Sequence, residues 1–339
     1  MTEWALFTGE GDPRVLKRLP DAPKWRQFSG TSTDVPAPPR IKNEDKYWER
    51  ARTFKTPAGA RDVVNAALHL RRPLLVTGNP GTGKSTLIYR VAYELGLGPV
   101  HVWPINSRTT LQDGLYRYDA LDRLREARIA QPEGTQGAPP RQDIGQFIQL
   151  GPLGTALLPS DRPRALLIDE VDKADVDLPN DLLNVFEEGR FEIPELSRRQ
   201  AAEAMALVRL FSPLPLPEPQ TTTITGGWVQ CREFPFVVLT SNRERDFPPA
   251  FLRRCLRLEM PQPKKAGDLR DIVASHLGQK TADKADDLIR EFIRLQSSGA
   301  VATDQLLNAA HLLLGRENLP DATVTTLRAL LMREIESGA

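Results

Sequence analysis

Apolar residues along the chain switch between two periods, and the switches mark the elements. Short apolar runs bounded by turn residues predict buried strands at 73–77, 100–105, 164–170, 235–240 and 255–260. Between them the period becomes helical. Asn43 is placed to cap a helix carrying Tyr47, Trp48, Ala51 and Phe54. Thr56-Pro57 reads as the start of a second helix with Pro at its first position, followed by the stripe Val63, Val64, Ala67 and Leu68. Leu87, Ile88, Val91 and Ala92 repeat the spacing after the first strand, until Gly96 and Gly98 stop it. Another helix starts near Pro179, carries Leu182, Leu183 and Phe186, and ends at Gly189. A short one covers 248–254. Strands alternating with helices predict an α/β core.

Two stretches depart from that alternation. In residues 114–150, a helical piece at 121–130 meets a loop-forming decapeptide at 131–140. Apolar positions then resume at Ile144, Phe147, Ile148 and Leu150. The pattern reads as a helix interrupted by an insertion. In residues 197–234, a short helix is expected at 201–211, then a proline-rich run at 212–219. Strand-like runs at 221–225 and 228–232 flank Gly226-Gly227, a two-residue hairpin signal that would set Ile224 opposite Val229. The hairpin would occupy about 220–233.

The ends differ in character. Residues 1–42 form a polar, proline-rich arm whose Trp4, Phe7, Trp25 and Phe28 imply packing against its own domain. Residues 43–260 hold the strands. Beyond Pro261-Gln262-Pro263, residues 261–339 carry only helical stripes, enough for four helices, with Asp268, Thr303 and Asp321 as N-caps.

Composition narrows the partners. Lys and Arg number 45 against 44 Asp and Glu, a net charge of +1. That balance argues against nucleic acid or an anionic membrane as the partner. Cys231 and Cys255 lack metal spacing and cannot build a disulfide framework, so reduced thiols in a cytoplasmic protein are expected. The first ten residues lack the basic-then-apolar order of a signal peptide, and no apolar run reaches membrane-spanning length. His101 alternates out of its strand's apolar face and reads as a surface or edge residue rather than a ligand.

The chemistry gathers at strand ends. Gly78-Asn79-Pro80-Gly81-Thr82-Gly83-Lys84-Ser85-Thr86 fits the phosphate-binding pattern G-x-x-x-x-G-K-[ST] between a strand and a helix. Glycines let the chain curl so that backbone N–H groups surround a phosphate. Lys84 can reach the β- and γ-phosphates of ATP, and the Ser85 hydroxyl can ligate Mg²⁺. The strand at 164–170 ends in Asp169, suited to hold Mg²⁺ through water, and Glu170, suited to polarise an attacking water. Asn242 follows another strand end and can donate to a γ-phosphate oxygen. Arg253 and Arg254 close the short helix, where a cation could reach a neighbouring subunit's nucleotide.

The segments GNPGTGKST, LLIDEVDKAD, VVLTSN and FPPAFLRRC, in that order, resemble an AAA+ ATPase. The two insertions make residues 45–337 similar to the MoxR family. The resemblance implies a P-loop core with a parallel five-stranded sheet of order 5-1-4-3-2, a small helical lid, and a ring, usually hexameric. It implies an ATP-driven chaperone or remodeller of a protein client, often working with a von Willebrand A-domain protein. By the same resemblance Asn242 is sensor 1, Arg254 the arginine finger with Arg253 second, and Asn106 a restraint on Glu170. The lid arginine of the family falls at Gln305 here, a departure that puts lid sensing of the γ-phosphate in question. A low-turnover, ATP-dependent switch of a bacterial signalling or conflict system stays open, as does a nucleic-acid motor.

Overall fold

Each of the five apolar runs forms a strand of one parallel sheet. The computed structural model describes residues 4–11, 13, 19–31, 34–39, 41–42, 45–129, 143–198, 205–296, 301–315 and 320–332. In chain order, α1 (Glu49–Thr53) and α2 (Ala60–Leu70) precede β1 (Leu74–Thr77), which feeds α3 (Lys84–Leu95) and β2 (His101–Pro104). The first insertion contains α4 (Leu111–Leu115), β3 (Tyr116–Tyr118), α5 (Ala120–Ile129), β4 (Ile148–Leu150) and α6 (Pro152–Ala156). Then come β5 (Ala165–Asp169), α7 (Leu178–Glu188), β6 (Arg190–Glu192) and α8 (Pro194–Ser197). The second insertion supplies β7 (Met205–Arg209), β8 (Thr221–Thr225) and β9 (Trp228–Gln230), ahead of β10 (Phe236–Ser241), α9 (Pro249–Arg254) and β11 (Leu256–Glu259). The rest is helical: α10 (Ala266–Leu277), α11 (Gln279–Asp283), α12 (Asp286–Gln296), α13 (Thr303–Leu314) and α14 (Asp321–Leu331).

The main sheet runs β11-β1-β10-β5-β2, with every pair parallel. Numbering only its own five strands along the chain, this is 5-1-4-3-2, as expected. All six residues of the central strand β10 are buried, because helices cover both faces. One face packs α3 through Leu87, Ile88 and Val91; the other packs α7 through Leu182, Val185 and Phe186. Leu269, Val273, Ile289, Phe292 and Leu306 build a separate small core among α10, α12 and α13.

The inserts depart from their sequence reading. Residues 205–209 are a strand, not part of a helix, and residues 201–204 lie outside the described residues. In β7 the inward positions Ala206 and Val208 alternate with exposed Met205, Leu207 and Arg209, a period of two. The hairpin is therefore β7 with β8, one strand earlier than the Gly-Gly signal implied. Ile224 pairs with Ala206, whereas Val229 pairs with Phe191 of β6. Gly226 and Gly227 sit at φ 64° and 75° and carry the chain from one sheet to another. A Cβ on Gly227 would lie 2.5 Å from the Ser197 nitrogen, so α8 closes against that turn and glycine is required there. The apolar piece after the first loop makes one 3-10 turn, Ile144–Phe147, and then β4 rather than resuming an α-helix. It joins β3, β7 and β8 in a sheet of order β3-β4-β7-β8, which fuses the two insertions. The decapeptide at 131–140 lies outside the described residues.

Smaller differences have local causes. α2 starts at Ala60, not at Thr56-Pro57, since the Thr56 hydroxyl donates to the Gly9 carbonyl instead of capping. The residues preceding α10, α13 and α14 are Lys265, Ala302 and Pro320. Thr303 and Asp321 are thus first helical residues, and Asp268 sits in the first turn of α10, where a carboxylate still suits the helix dipole. The short α11 makes five C-terminal helices among the described residues. His101 is buried, not at the surface; burial and the Arg164 guanidinium push its pKa down to about 3, so it stays neutral.

The arm is tied to the helices around the nucleotide loop. The Asn65 amide makes 2.8 Å hydrogen bonds with both the N–H and the C=O of buried Phe7. Fully buried Glu94, on α3, accepts from the N–H groups of Thr8, Gly9 and Gly11. Arg90, one turn earlier, donates to the carbonyls of Gly9 and Gly11. Buried charges persist only where partners satisfy them, and these two use the arm's backbone.

Candidate functional site

The loop 78–83 leaves β1 and becomes α3 at Lys84, so the first N–H groups of that helix open toward the loop. Gly83 precedes the helix at φ 81°, and the Phe54 ring lies 2.8 Å from where its Cβ would stand. Only glycine combines that backbone with that close approach. Lys84 is buried, and its Nζ donates to the carbonyls of Gly78 and Asn79 at 2.9 Å each. Burial lowers its pKa, while Asp172, Asp169 and Glu170 oppose the shift.

A chain of hydrogen bonds joins the loop to the ends of β5 and β10. The Ser85 hydroxyl donates to Asp169 Oδ1 at 2.7 Å, and the Thr240 hydroxyl donates to the same oxygen at 2.6 Å. The Glu170 N–H in turn donates to Thr240 Oγ1 at 2.8 Å. Glu170 stands at φ 61°, ψ 47°, a left-handed conformation that costs a non-glycine residue roughly 1–2 kcal/mol. Glu170 lines the cleft, and its Oε2 accepts from Lys173 Nζ at 2.8 Å.

The cleft has a volume of about 900 Å³. Lys84, Ser85, Asp169, Glu170, Thr240 and Asn242 line one side, and Lys265, His276 and Asp304 from the C-terminal helices line the other. Phe54, Tyr89 and Ile272 add apolar surface to the lining. Apolar side chains beside a phosphate-binding loop suit a ligand that has both a flat ring and a chain of phosphates. Ser85 and Asp169 supply adjoining oxygen donors, the hard ligands Mg²⁺ prefers. No cluster of three His, Cys, Asp or Glu among the described residues could cage a metal alone. The pair therefore fits Mg²⁺ shared with substrate phosphates, the usual mode for that ion.

Other sequence-marked residues lie apart from this group. Arg254 Nε is paired with Glu187 Oε1 of α7 at 2.7 Å, and its Nη1 donates to the Ala250 carbonyl. The backbone carbonyl of exposed Arg253 accepts from Arg72, and its guanidinium has no ion pair among the described residues. Asn106 closes its own turn, accepting from the Arg108 N–H and donating its N–H to Thr109, and makes no bond to Glu170. Gln305 folds back to accept the Ala302 N–H at 2.8 Å, at the start of α13, and does not line the cleft. Cys231 and Cys255 are free, and burial pushes both thiols up to about 12, leaving them unreactive at neutral pH.

Three participants went unmarked in the sequence. Thr240 holds Asp169 and Glu170 together; the signal was a hydroxyl ending an otherwise apolar strand. Asp172 accepts the N–H groups of Asn242 and Glu244, yet in sequence it is one more charge in a polar run. Phe54 read as part of a helical stripe, whereas it lies beyond α1 against Gly83.

No curated protein matches the chain. A family model described as AAA domain (dynein-related subfamily) matches residues 73–255, more than half of the 339. The match spans the phosphate loop, the Asp169-Glu170 strand end, Asn242 and the arginine pair. With this strand order and this cleft, the chain belongs to the AAA domain family, dynein-related subfamily.

Proposed function

We propose that the chain is a MoxR-like ATPase that binds ATP with Mg²⁺ in this cleft, hydrolyses it within a ring, and uses the cycle to remodel a protein client. The observation that carries this reading is the linked set Ser85, Asp169, Thr240 and Glu170. It supports this reading because the Ser85 hydroxyl, the Asp169 carboxylate and the Glu170 backbone are joined through Thr240 beside the phosphate loop. In this reading residues 43–260 are the core, 261–339 the lid, and 1–42 an arm clamped to the core.

Each residue then has a task. Lys84 exchanges the Gly78 and Asn79 carbonyls for the β- and γ-phosphates. Backbone N–H groups of Gly81, Gly83, Lys84 and Ser85 cradle the phosphates. Ser85 and Asp169 hold Mg²⁺, which supplies charge neutralisation on the phosphate oxygens. Glu170 takes the proton of the attacking water. The Asn242 amide donates to a γ-phosphate oxygen and orients that water. Arg254, freed from Glu187, reaches the γ-phosphate of a neighbouring subunit, with Arg253 as the second choice. The fused sheet β3-β4-β7-β8 carries the motion outward, with exposed Met205 and Leu207 available to a client or an A-domain partner.

A second reading, a low-turnover switch, draws on three contacts. Glu170 is paired with Lys173, Arg254 with Glu187, and Gln305 with its own helix. In the structure as it stands, base, finger and lid residue are each turned to another partner.

Mixing two inactive variants tests the shared site. Trans arginine fingers are worth roughly 10³–10⁵ in rate in GTPases, and about 10² is expected here because the lid lacks a matching arginine. Arg254→Ala keeps an intact phosphate loop, and Lys84→Ala keeps an intact finger. Phosphate release should reappear on mixing, since some interfaces combine both intact parts. A dead mixture, with mixed assembly confirmed by mass, rejects Arg254 in trans and moves the assignment to Arg253 or to no finger at all.

A further inference from the structure

The segment after Glu170 contains a carboxylate that the proposed chemistry does not use. Asp172 is 2 % exposed and sits in a single 3-10 turn, Val171–Lys173. Its Oδ2 accepts two backbone N–H groups, from Asn242 at 2.8 Å and Glu244 at 3.0 Å. Arg243, between them, stands at φ 66°. A left-handed residue between two others turns alternate N–H groups into one concavity, a nest that fits an anion. Here the anion is Asp172. A non-glycine residue leaves that conformation unless something holds it. Two charge-assisted bonds to one carboxylate oxygen do so.

The other oxygen, Oδ1, is buried and has no hydrogen-bond partner among the described residues. A carboxylate oxygen makes stronger bonds to two N–H groups than a neutral oxygen does, so Asp172 grips the Asn242–Glu244 backbone more rigidly than an amide would. Asp172 also shares one turn with Glu170 and Lys173, so whatever it holds is fixed relative to the base.

We propose that Asp172 is a positioning residue for hydrolysis, fixing the backbone at Asn242 so that the Asn242 amide and the Glu170 carboxylate are held across one water. This rests on the reading of the cleft as an ATPase site. Asp172 touches no substrate in this scheme and acts through Asn242. A displacement of about 1 Å at such a group can cost 10² in rate.

The test is a double-mutant cycle on phosphate release, with ATP affinity and melting temperature recorded on the same proteins. Asp172→Ala should lower kcat about 10²-fold and leave ATP affinity within about threefold. Asp172→Asn keeps an acceptor oxygen and should recover much of the loss. In the Asn242→Ala background, where no amide remains to be positioned, Asp172→Ala should cost less than about twofold more. If Asp172→Ala does not fold, Asp172→Glu carries the same cycle, since it keeps the charge but displaces the acceptor. Losses that add in full overturn the positioning role while leaving the ATPase reading intact. So does weakened ATP affinity with kcat unchanged. A wild type without turnover overturns the ATPase reading and this role with it.

Discussion

Lys84→Ala is expected to remove measurable ATP binding. The phosphate loop places one side-chain cation at its centre, and that cation already sits among acceptors, with Nζ 2.9 Å from the Gly78 and Asn79 carbonyls. Triphosphate binding exchanges those neutral acceptors for charged phosphate oxygens. Each charge-assisted bond is worth about 1.5–3 kcal/mol, so losing two weakens binding about 10²–10⁴-fold. Alanine also leaves the phosphates facing Asp169 and Glu170 with no lysine to offset them. The variant should still fold, because the loop carbonyls it abandons can bind water in the open cleft. Titration calorimetry with ATP and Mg²⁺ reads the loss, and a melting curve on the same sample excludes unfolding. Undiminished affinity would mean that the loop does not bind phosphate.

Glu170→Gln is expected to keep ATP binding and lower hydrolysis about 10²–10⁴-fold, the usual worth of a positioned base. The amide cannot take the water's proton. The structure predicts little collateral damage. The bond to Thr240 uses the Glu170 backbone N–H, which glutamine retains. The side-chain ion pair with Lys173 is roughly 40 % exposed on both sides, so its loss costs no more than about 1 kcal/mol. A fall in kcat with unchanged ATP affinity therefore isolates chemistry from folding. Turnover at the wild-type rate would show that Glu170 is not the base and favour the switch reading.

Much of this site is legible in the sequence because local rules dictate it. The phosphate loop needs glycines at fixed spacing and a strand and helix around them, and nothing else in the chain satisfies that pattern. The strand ends at Asp169 and Asn242 follow from apolar runs that stop at polar residues, and their parallel sheet brings those ends together. Relations across the sheet are not legible. Thr240 bonds Asp169 only because β10 lies beside β5, and Asp172 gathers the N–H groups of both Asn242 and Glu244 only because Arg243 between them turns left-handed. No periodicity encodes either. The inserts misled for a related reason. Residues 205–209 follow an alanine-rich stretch of helical propensity, and only pairing with β8 selects the strand. The Gly-Gly turn was recognised as a turn, but a turn does not say which strand it delivers its neighbour to. His101 illustrates the same limit: alternation placed it on the outer face of β2, but it is buried there with the Phe211 ring 6.0 Å from its own.

The account stands on one measurement above the others: phosphate release from ATP with Mg²⁺ by the wild-type chain, followed against protein concentration, with particle mass recorded on the same samples. The account gives a rate per subunit that rises cooperatively as a ring forms and vanishes with Lys84→Ala. Assembly on ATP with no phosphate release at any concentration would contradict it.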